Sequence, residues 1–324
     1  MKDFFNSFTK LVKKYSKVVI TTHKNMDLDG FASAICLFKI FDKMNKDCYI
    51  FLNETQTNNT IIKTFEQIEK VNYDLKKLYS NELNTFDTTD TLLIIVDVHK
   101  ISLVEGSELC DIINDVVVID HHVKSSEYIK DTKLMYINSN MSSVSQIIVE
   151  YSKYMNYKVD EFLATILLAA IEIDTNRFKF KTTEGTYEVA AYLTKLGANS
   201  ILKQEILRES RESYLEHQFY IEQSLQINEN MILCEIDDKV VSPKDLAIIA
   251  DSLLQFENME ASFCIGKLDN KTYGISARSL GNVNVQEIMQ QLGGGGHMTE
   301  AATKLENITI DECRTKLLNI VNGG

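Results

Sequence analysis

Leu92-Leu93-Ile94-Ile95-Val96-Asp97-Val98 is an almost unbroken apolar run carrying a single carboxylate, and His99 follows it at once. A strand that is apolar on both faces belongs in the middle of a parallel sheet covered by helices. A carboxylate near its end is costly to bury unless it is paired or metal-bound. Val116-Val117-Val118-Ile119 repeats the pattern and runs into Asp120-His121-His122. Upstream, Lys17-Val18-Val19-Ile20-Thr21-Thr22 is a third β-branched run, and it ends at His23. Helical periodicity follows from about Leu28 to Met44, with apolar positions at Phe31, Ala34, Ile35, Leu37, Phe38 and Phe41. Cys48–Leu52 reads as a further strand, and Val144–Met155 and Phe162–Ile173 read as helices. This alternation predicts an α/β fold with a doubly wound parallel sheet.

Ligands of such sheets bind beyond the carboxyl ends of the strands. His23, Asp27 and Asp29 lie after the first run, Asp97 and His99 after the second, and Asp120-His121-His122 after the third. Asp174 follows the last of the predicted helices. Imidazole and carboxylate together are a donor set for divalent cations. The bland alternatives are an N-cap role for Asp29, a turn at Asp174-Thr175-Asn176, and a loop position for His99. None of these explains the clusters jointly, so the residues read as one metal-dependent hydrolytic site. Within it, Asp120 is expected to accept a ring N–H and fix a tautomer.

With 324 residues, 44% of them hydrophobic, the chain can fill two cores. A formal charge of −12 argues against a broad groove for long nucleic acid. A small phosphorylated substrate stays compatible with it, because bound metals supply positive charge locally. The six scattered cysteines show no C-x-x-C spacing and read as free thiols of a reducing cytosol. Neither a signal peptide nor a membrane span is legible, which predicts a cytoplasmic protein.

Strands recur at Met231–Ile236, Glu260–Leu268 and Tyr273–Ser279, and a helix at Val285–Gln291 precedes Gly293-Gly294-Gly295-Gly296-His297. The expected organisation is a catalytic domain over 1–195, a helical linker over 196–215 and a smaller α/β domain over 216–324. The glycines are expected to open a helix over Met298–Leu305, whose N-terminus would receive an anion. Ser276 and Arg278 share one strand face, and Arg278 suits a bidentate phosphate contact.

The segments His23-x3-Asp27-x-Asp29-x3-Ser33-Ala34, Asp97, Asp120-His121-His122 and Asp174 resemble the four motifs of the DHH phosphoesterase superfamily. The Ser276–Arg278 strand and Gly293–His297 are similar to its associated C-terminal domain. Val96–Lys100, Ser102–Glu105 and Ser276–Gln286 look most like the GdpP-type cyclic-di-AMP phosphodiesterases, and soluble nano-RNases that also dephosphorylate 3′-phosphoadenosine 5′-phosphate come next. The resemblance implies two Mn²⁺ ions, with Mg²⁺ or Co²⁺ as substitutes. His23, Asp27 and Asp97 would hold one, and Asp29, Asp97, His121 and Asp174 the other. Asp97 and His122 would be catalytic, and a hydroxide between the metals would attack phosphorus. Substrate would be bound by His99, Ser276, Arg278, Gly293, Gly294, Gly295, Gly296 and His297 in a cleft between the domains. The implied partners are a cyclic dinucleotide or short oligonucleotide and, by analogy, a second copy of the chain. The implied reaction is hydrolysis of cyclic di-AMP to pApA, with AMP as the product of a further step. A nano-RNase and an inactive nucleotide sensor are the alternatives.

Overall fold

The computed structural model describes residues 1–52, 58–124 and 126–323. Residues 53–57, 125 and 324, all inside the expected domains, lie outside the described residues. The chain divides into two compact units, Met1–Arg208 and Glu209–Gly324.

In the first unit, β1 (Lys17–Thr21), β2 (Asp47–Phe51), β3 (Lys77–Leu78), β4 (Thr91–Val96), β5 (Val116–Asp120) and β6 (Leu134–Ile137) form a sheet. Its order among the described residues is β3-β2-β1-β4-β5-β6, and every pairing is parallel. The order reverses between β1 and β4, which opens a crevice at the carboxyl ends of those two strands. β4 and β5 are buried along their whole length, as their apolar runs require. Their side chains alternate between two cores: Ile94 and Val96 face one, Leu93 and Ile95 the other. β3 and β6 escape sequence reading because one has two residues and the other is a half-buried edge.

The helices of this unit are α1 (Lys2–Val12), α2 (Leu28–Lys43), α3 (Asn59–Lys70), α4 (Leu109–Ile112), α5 (Val144–Tyr154), α6 (Glu161–Asp174), α7 (Glu184–Lys195) and α8 (Ser200–Leu207). α2 and α6 are apolar nearly all round and are buried accordingly. Asp174 is the last residue of α6 rather than a residue beyond it.

The second unit contains α9 (Arg211–Glu222), β7 (Leu225–Asn228), β8 (Met231–Val240), α10 (Pro243–Leu253), β9 (Ala261–Lys267), β10 (Thr272–Ser279), α11 (Val285–Gln291), β11 (Gly295–Gly296), β12 (Glu300–Glu306) and α12 (Ile310–Val321). Its sheet runs β11-β12-β10-β9-β8-β7, with β8 and β9 parallel and the other pairs antiparallel. The stretch 196–215 is shared between the units. α8 buries Ile206 in the core of the first, and α9 opens the second after the non-helical residues 208–210.

The helix expected over Met298–Leu305 is a strand instead. Ala301 and Thr303 are buried while Ala302 and Lys304 are exposed, the period of two that a sheet imposes. Gly295 and Gly296 pair with Ala302 and Ala301, so the glycines form the edge of a hairpin and no helix N-terminus stands beside them. Two of them are obligatory. A Cβ on Gly294 would lie 2.2 Å from the Ala302 carbonyl oxygen, and Gly296 has φ +145°.

His217, the histidine outside the sequence clusters, is buried between α9 and α10. Its Nε2 bonds Asp245 at 3.1 Å, and its Nδ1 lies 3.2 Å from Glu209 without hydrogen-bond alignment. The Asp245 hydrogen bond holds the imidazole above its ordinary value against the opposing effect of burial, and Glu209 adds to the rise. A raised folded-state value means that the stabilisation is complete below the unfolded imidazole value, about 6.5, and fades as pH climbs through the folded one. Thermal melts of wild type and His217→Gln are therefore expected to differ most at and below about pH 6, and the gap is expected to narrow as pH rises. A gap that widens with pH would show the wrong sign.

Candidate metal centre

Three loops at the carboxyl edge of the first sheet and the end of α6 bring the acidic and imidazole residues together. Asp27 is the N-cap of α2 and accepts the Gly30 N–H at 3.0 Å, which points its carboxylate back at His23. The capping role considered for Asp29 thus belongs to Asp27. Gly30 sits against Thr22, where a Cβ would lie 2.1 Å from Oγ1, so the helix enters close to the end of β1.

Asp29 is buried, and its two oxygens accept the N–H groups of Val144 at 2.7 Å and Ser145 at 2.8 Å. It therefore anchors the first turn of α5 from across the core, where the helix dipole favours an anion. Asp97 follows β4 with φ +64°, a region that few residues other than glycine adopt, and its N–H is held by the Ile119 carbonyl at 2.9 Å. That turn drives its carboxyl group into the middle of the cluster. His23 Nε2 lies 3.6 Å from Oδ2, His121 Nε2 lies 3.4 Å from Oδ1, and His122 Nδ1 lies 3.7 Å from Oδ1.

Two groups of donors result, each with its ligating atoms within 4.8 Å of one another: His23, Asp27 and Asp97, and Asp29, His121 and Asp174. A third group, Asp97, His121 and His122, joins them through Asp97. His121 Nε2 lies 3.3 Å from Asp174 and 3.9 Å from Asp29. The fit to a cation is electrostatic. Asp97 Oδ1 is a buried acceptor with no hydrogen-bond partner. Burial, and then the charges of Asp27 and Asp29, push the Asp97 carboxyl well above its usual range. Asp174 is pushed up likewise, by burial and then by Asp29, Asp27 and Asp97. Burial would lower the His23 imidazole, but Asp27 and Asp97 override it and raise it to about 10. Crowded carboxylates that resist ionisation without a counter-charge are what a divalent ion relieves.

Asp120 stands behind the donors. Its Oδ2 bonds His99 Nδ1, and its Oδ1 accepts from the His122 backbone at 3.1 Å and lies 2.8 Å from His122 Nδ1. Burial opposes its ionisation, but these bonds to His122 and His99 hold it far below the usual carboxylate range. Asp120 thus orients His99 and His122 rather than His121. His99 is buried behind Asp120, whereas the His122 side chain is half exposed.

Sequence reading missed the support under Asp29. Ser143 accepts the Gln146 N–H at 3.0 Å, and Gln146 Oε1 accepts from Ser142 N–H at 3.0 Å and from its hydroxyl at 2.7 Å. The signal was present as Ser143-x-x-Gln146, a helix-start pattern.

Ser276, Arg278, the glycine run and His297 all belong to the second unit. Arg278 Nε donates to Asp251 at 3.0 Å, and its Nη1 donates to Ser276 Oγ and the Ala277 carbonyl, both at 3.1 Å. The guanidinium is therefore fixed on its strand.

The family model "DHH family, N-terminal domain" matches residues 17–171, and "DHHA1 domain" matches residues 228–323. The chain is 35% identical over 327 residues to the cyclic-di-AMP phosphodiesterase GdpP of Bacillus subtilis (strain 168), covering 98% of this chain and 49% of that protein. It is 23% identical over 306 residues to the bifunctional oligoribonuclease and PAP phosphatase NrnA of Mycoplasma genitalium (strain G37), covering 91% of each. The chain spans about half the length of the cyclic-di-AMP phosphodiesterases it matches. The crystal structure of an exopolyphosphatase-related protein from Bacteroides fragilis superimposes with a TM-score of 0.81 at 15% identity, covering 100% of this chain and 97% of that one, and so shares the fold. With both domains present in order and the motif residues gathered at one sheet edge, the chain belongs to the DHH family.

Proposed function

We propose that the chain is a Mn²⁺-dependent phosphodiesterase that hydrolyses cyclic di-AMP to pApA. The observation that carries this is the buried, partnerless Asp97 Oδ1 between two complete donor groups, taken with 35% identity to a cyclic-di-AMP phosphodiesterase. His23, Asp27 and Asp97 would hold one ion, and Asp29, Asp97, His121 and Asp174 the other. Mixed imidazole and carboxylate ligation suits Mn²⁺ better than Mg²⁺. When bound, the ions supply an activated water and polarise the phosphoryl group.

The chain's own residues do the rest. Asp120 engages Nδ1 of His122, which leaves Nε2 of that half-exposed ring to hydrogen-bond the phosphate or its leaving 3′-oxygen. Arg278, locked by Asp251 and Ser276, presents its remaining N–H groups to a second phosphate. The glycine hairpin would bring backbone close to the same group. No helix among the described residues is long and apolar enough to cross a membrane. We place the activity in the cytosol, consistent with six free cysteines.

The second reading is a nano-RNase or 3′-phosphoadenosine 5′-phosphate phosphatase, favoured by the match to NrnA over 91% of both chains. Initial rates on cyclic di-AMP, pApA and 3′-phosphoadenosine 5′-phosphate with Mn²⁺ decide between them. Cyclic di-AMP is expected to turn over fastest and to yield pApA. Turnover confined to the two linear substrates would select the second reading, and tight binding of cyclic di-AMP without hydrolysis would leave a sensor.

A further inference from the structure

Thr22 follows β1 directly, and the residues before it sort by sheet face. Val18 and Ile20 belong to the core that contains α2, whereas Val19 belongs to the other core. Alternation puts Thr22 on the face of Val18 and Ile20. It is nearly as buried as they are, at 1% exposed. Its carbonyl accepts the Glu105 N–H at 2.8 Å, but its Oγ1 has no hydrogen-bond partner among the described residues. Thr21, one residue earlier, donates its hydroxyl to the Glu105 carbonyl at 2.6 Å. A buried hydroxyl without a partner costs free energy that valine, of nearly the same shape, would not. Packing therefore does not account for a threonine at position 22.

The surroundings of that hydroxyl supply a reason. Gly30, in the first turn of α2, lies against it. A Cβ on Gly30 would stand 2.1 Å from Thr22 Oγ1, and the next group it would meet is Asp97 Oδ2, at 3.5 Å. Glycine in a helix costs conformational entropy. Two local penalties, a bare helical residue and an unpaired hydroxyl, thus meet beside one carboxylate oxygen. That oxygen is the one facing His23, 3.6 Å from its Nε2. Carboxylates that ligate metals are themselves held by hydrogen bonds from behind, which fix how they present their lone pairs.

We infer that Thr22 is a positioning residue of the metal centre. Its hydroxyl donates to Asp97 Oδ2 once that carboxylate is drawn onto a cation, and Gly30 stays bare to leave the hydroxyl room. The inference rests on the proposed Mn²⁺-dependent activity and adds to it a support for the shared ligand. The hydroxyl then contributes to metal affinity, while the metal-free fold gains nothing from it.

The test is calorimetric titration of the full chain with Mn²⁺, together with thermal melts in chelator, for wild type and for Thr22→Val, Thr22→Ala and Thr22→Ser. Thr22→Val and Thr22→Ala are expected to bind Mn²⁺ about tenfold more weakly, the low end for losing a group that supports a ligand. Thr22→Ser, which keeps the hydroxyl, should stay within about twofold of wild type. In chelator Thr22→Val should melt at least as high as wild type, and up to roughly 2–4 °C higher. Should Thr22→Val fail to fold, the contrast between Thr22→Ala and Thr22→Ser decides. Affinities that sort by side-chain size, with Thr22→Val like wild type and Thr22→Ser weakened, overturn the role and leave Thr22 as packing. A metal-free Thr22→Val protein that folds but melts well below wild type overturns it too. Hydrolysis of cyclic di-AMP by wild type is scored separately. A wild type that binds Mn²⁺ and hydrolyses, with Thr22→Val binding equally well, sinks only the role of Thr22. A wild type that binds no Mn²⁺ sinks the metal-dependent reading and this role with it.

Discussion

Asp97→Asn is expected to lose on the order of 10³-fold in Mn²⁺-dependent turnover, about 4 kcal/mol of transition-state stabilisation, and yet to melt higher than wild type in chelator. The loss follows because Asp97 belongs to two of the three donor groups, one with His23 and Asp27 and one with His121 and His122. The gain follows from the same burial. Without a cation, the Asp97 carboxyl is pushed up by burial and by Asp27 and Asp29, and its Oδ1 has no hydrogen-bond partner. An acid whose folded-state value is raised binds its proton more tightly in the fold than in the unfolded chain. Stability contributed by that proton is present at low pH and lost as pH rises past the ordinary carboxylate range. At neutral pH the residue therefore opposes folding of the metal-free protein. Asparagine removes the charge, fills the same volume and tolerates the left-handed backbone at φ +64°. Each kcal/mol regained shifts the midpoint by roughly 2–4 °C in a unit of this size. Retained turnover, or a lower melting point in chelator, would contradict the assignment. On the proposed reading the arrangement trades stability for function, and a bound metal would restore what the site gives up.

Asp29→Ala is expected to fail in both respects. Activity should fall as in Asp97→Asn, but the chelated protein should also melt lower, by roughly 10 °C. Its carboxylate accepts two buried N–H groups at the start of α5, and their loss strands both donors away from water. Removing a charged acceptor costs about 1.5–3 kcal/mol per bond, or roughly 3–6 kcal/mol for the two bonds here. Differential scanning calorimetry of the two variants with and without Mn²⁺ separates the roles. A metal-free Asp29→Ala protein as stable as wild type would show that the α5 contact is incidental. The two carboxylates look alike in sequence, yet Asp29 accepts two backbone N–H groups of α5 while Asp97 Oδ1 accepts no hydrogen bond.

The sequence alone determined that strands at Lys17, Leu92 and Val116 would be buried and that their ends would carry acids and histidines. Burial and period are local properties, written into each run of side chains. It offered Asp29 as the candidate cap of α2. Only the tertiary structure decided that Asp27 caps it instead, because Asp29 is claimed by α5, 115 residues away. The left-handed turn at Asp97 was equally invisible, since it follows from tying Asp97 N–H to the neighbouring strand at Ile119. The segment after the glycines was misread as helix for a related reason. Met298–Leu305 has residues acceptable to a helix, but pairing with β10 on one side and with Gly295–Gly296 on the other satisfies its backbone as a strand. Which donors lie together, which carboxylate supports a helix, and which glycines must stay bare are all settled by partners distant in the chain, and those appear only once the sheets have closed.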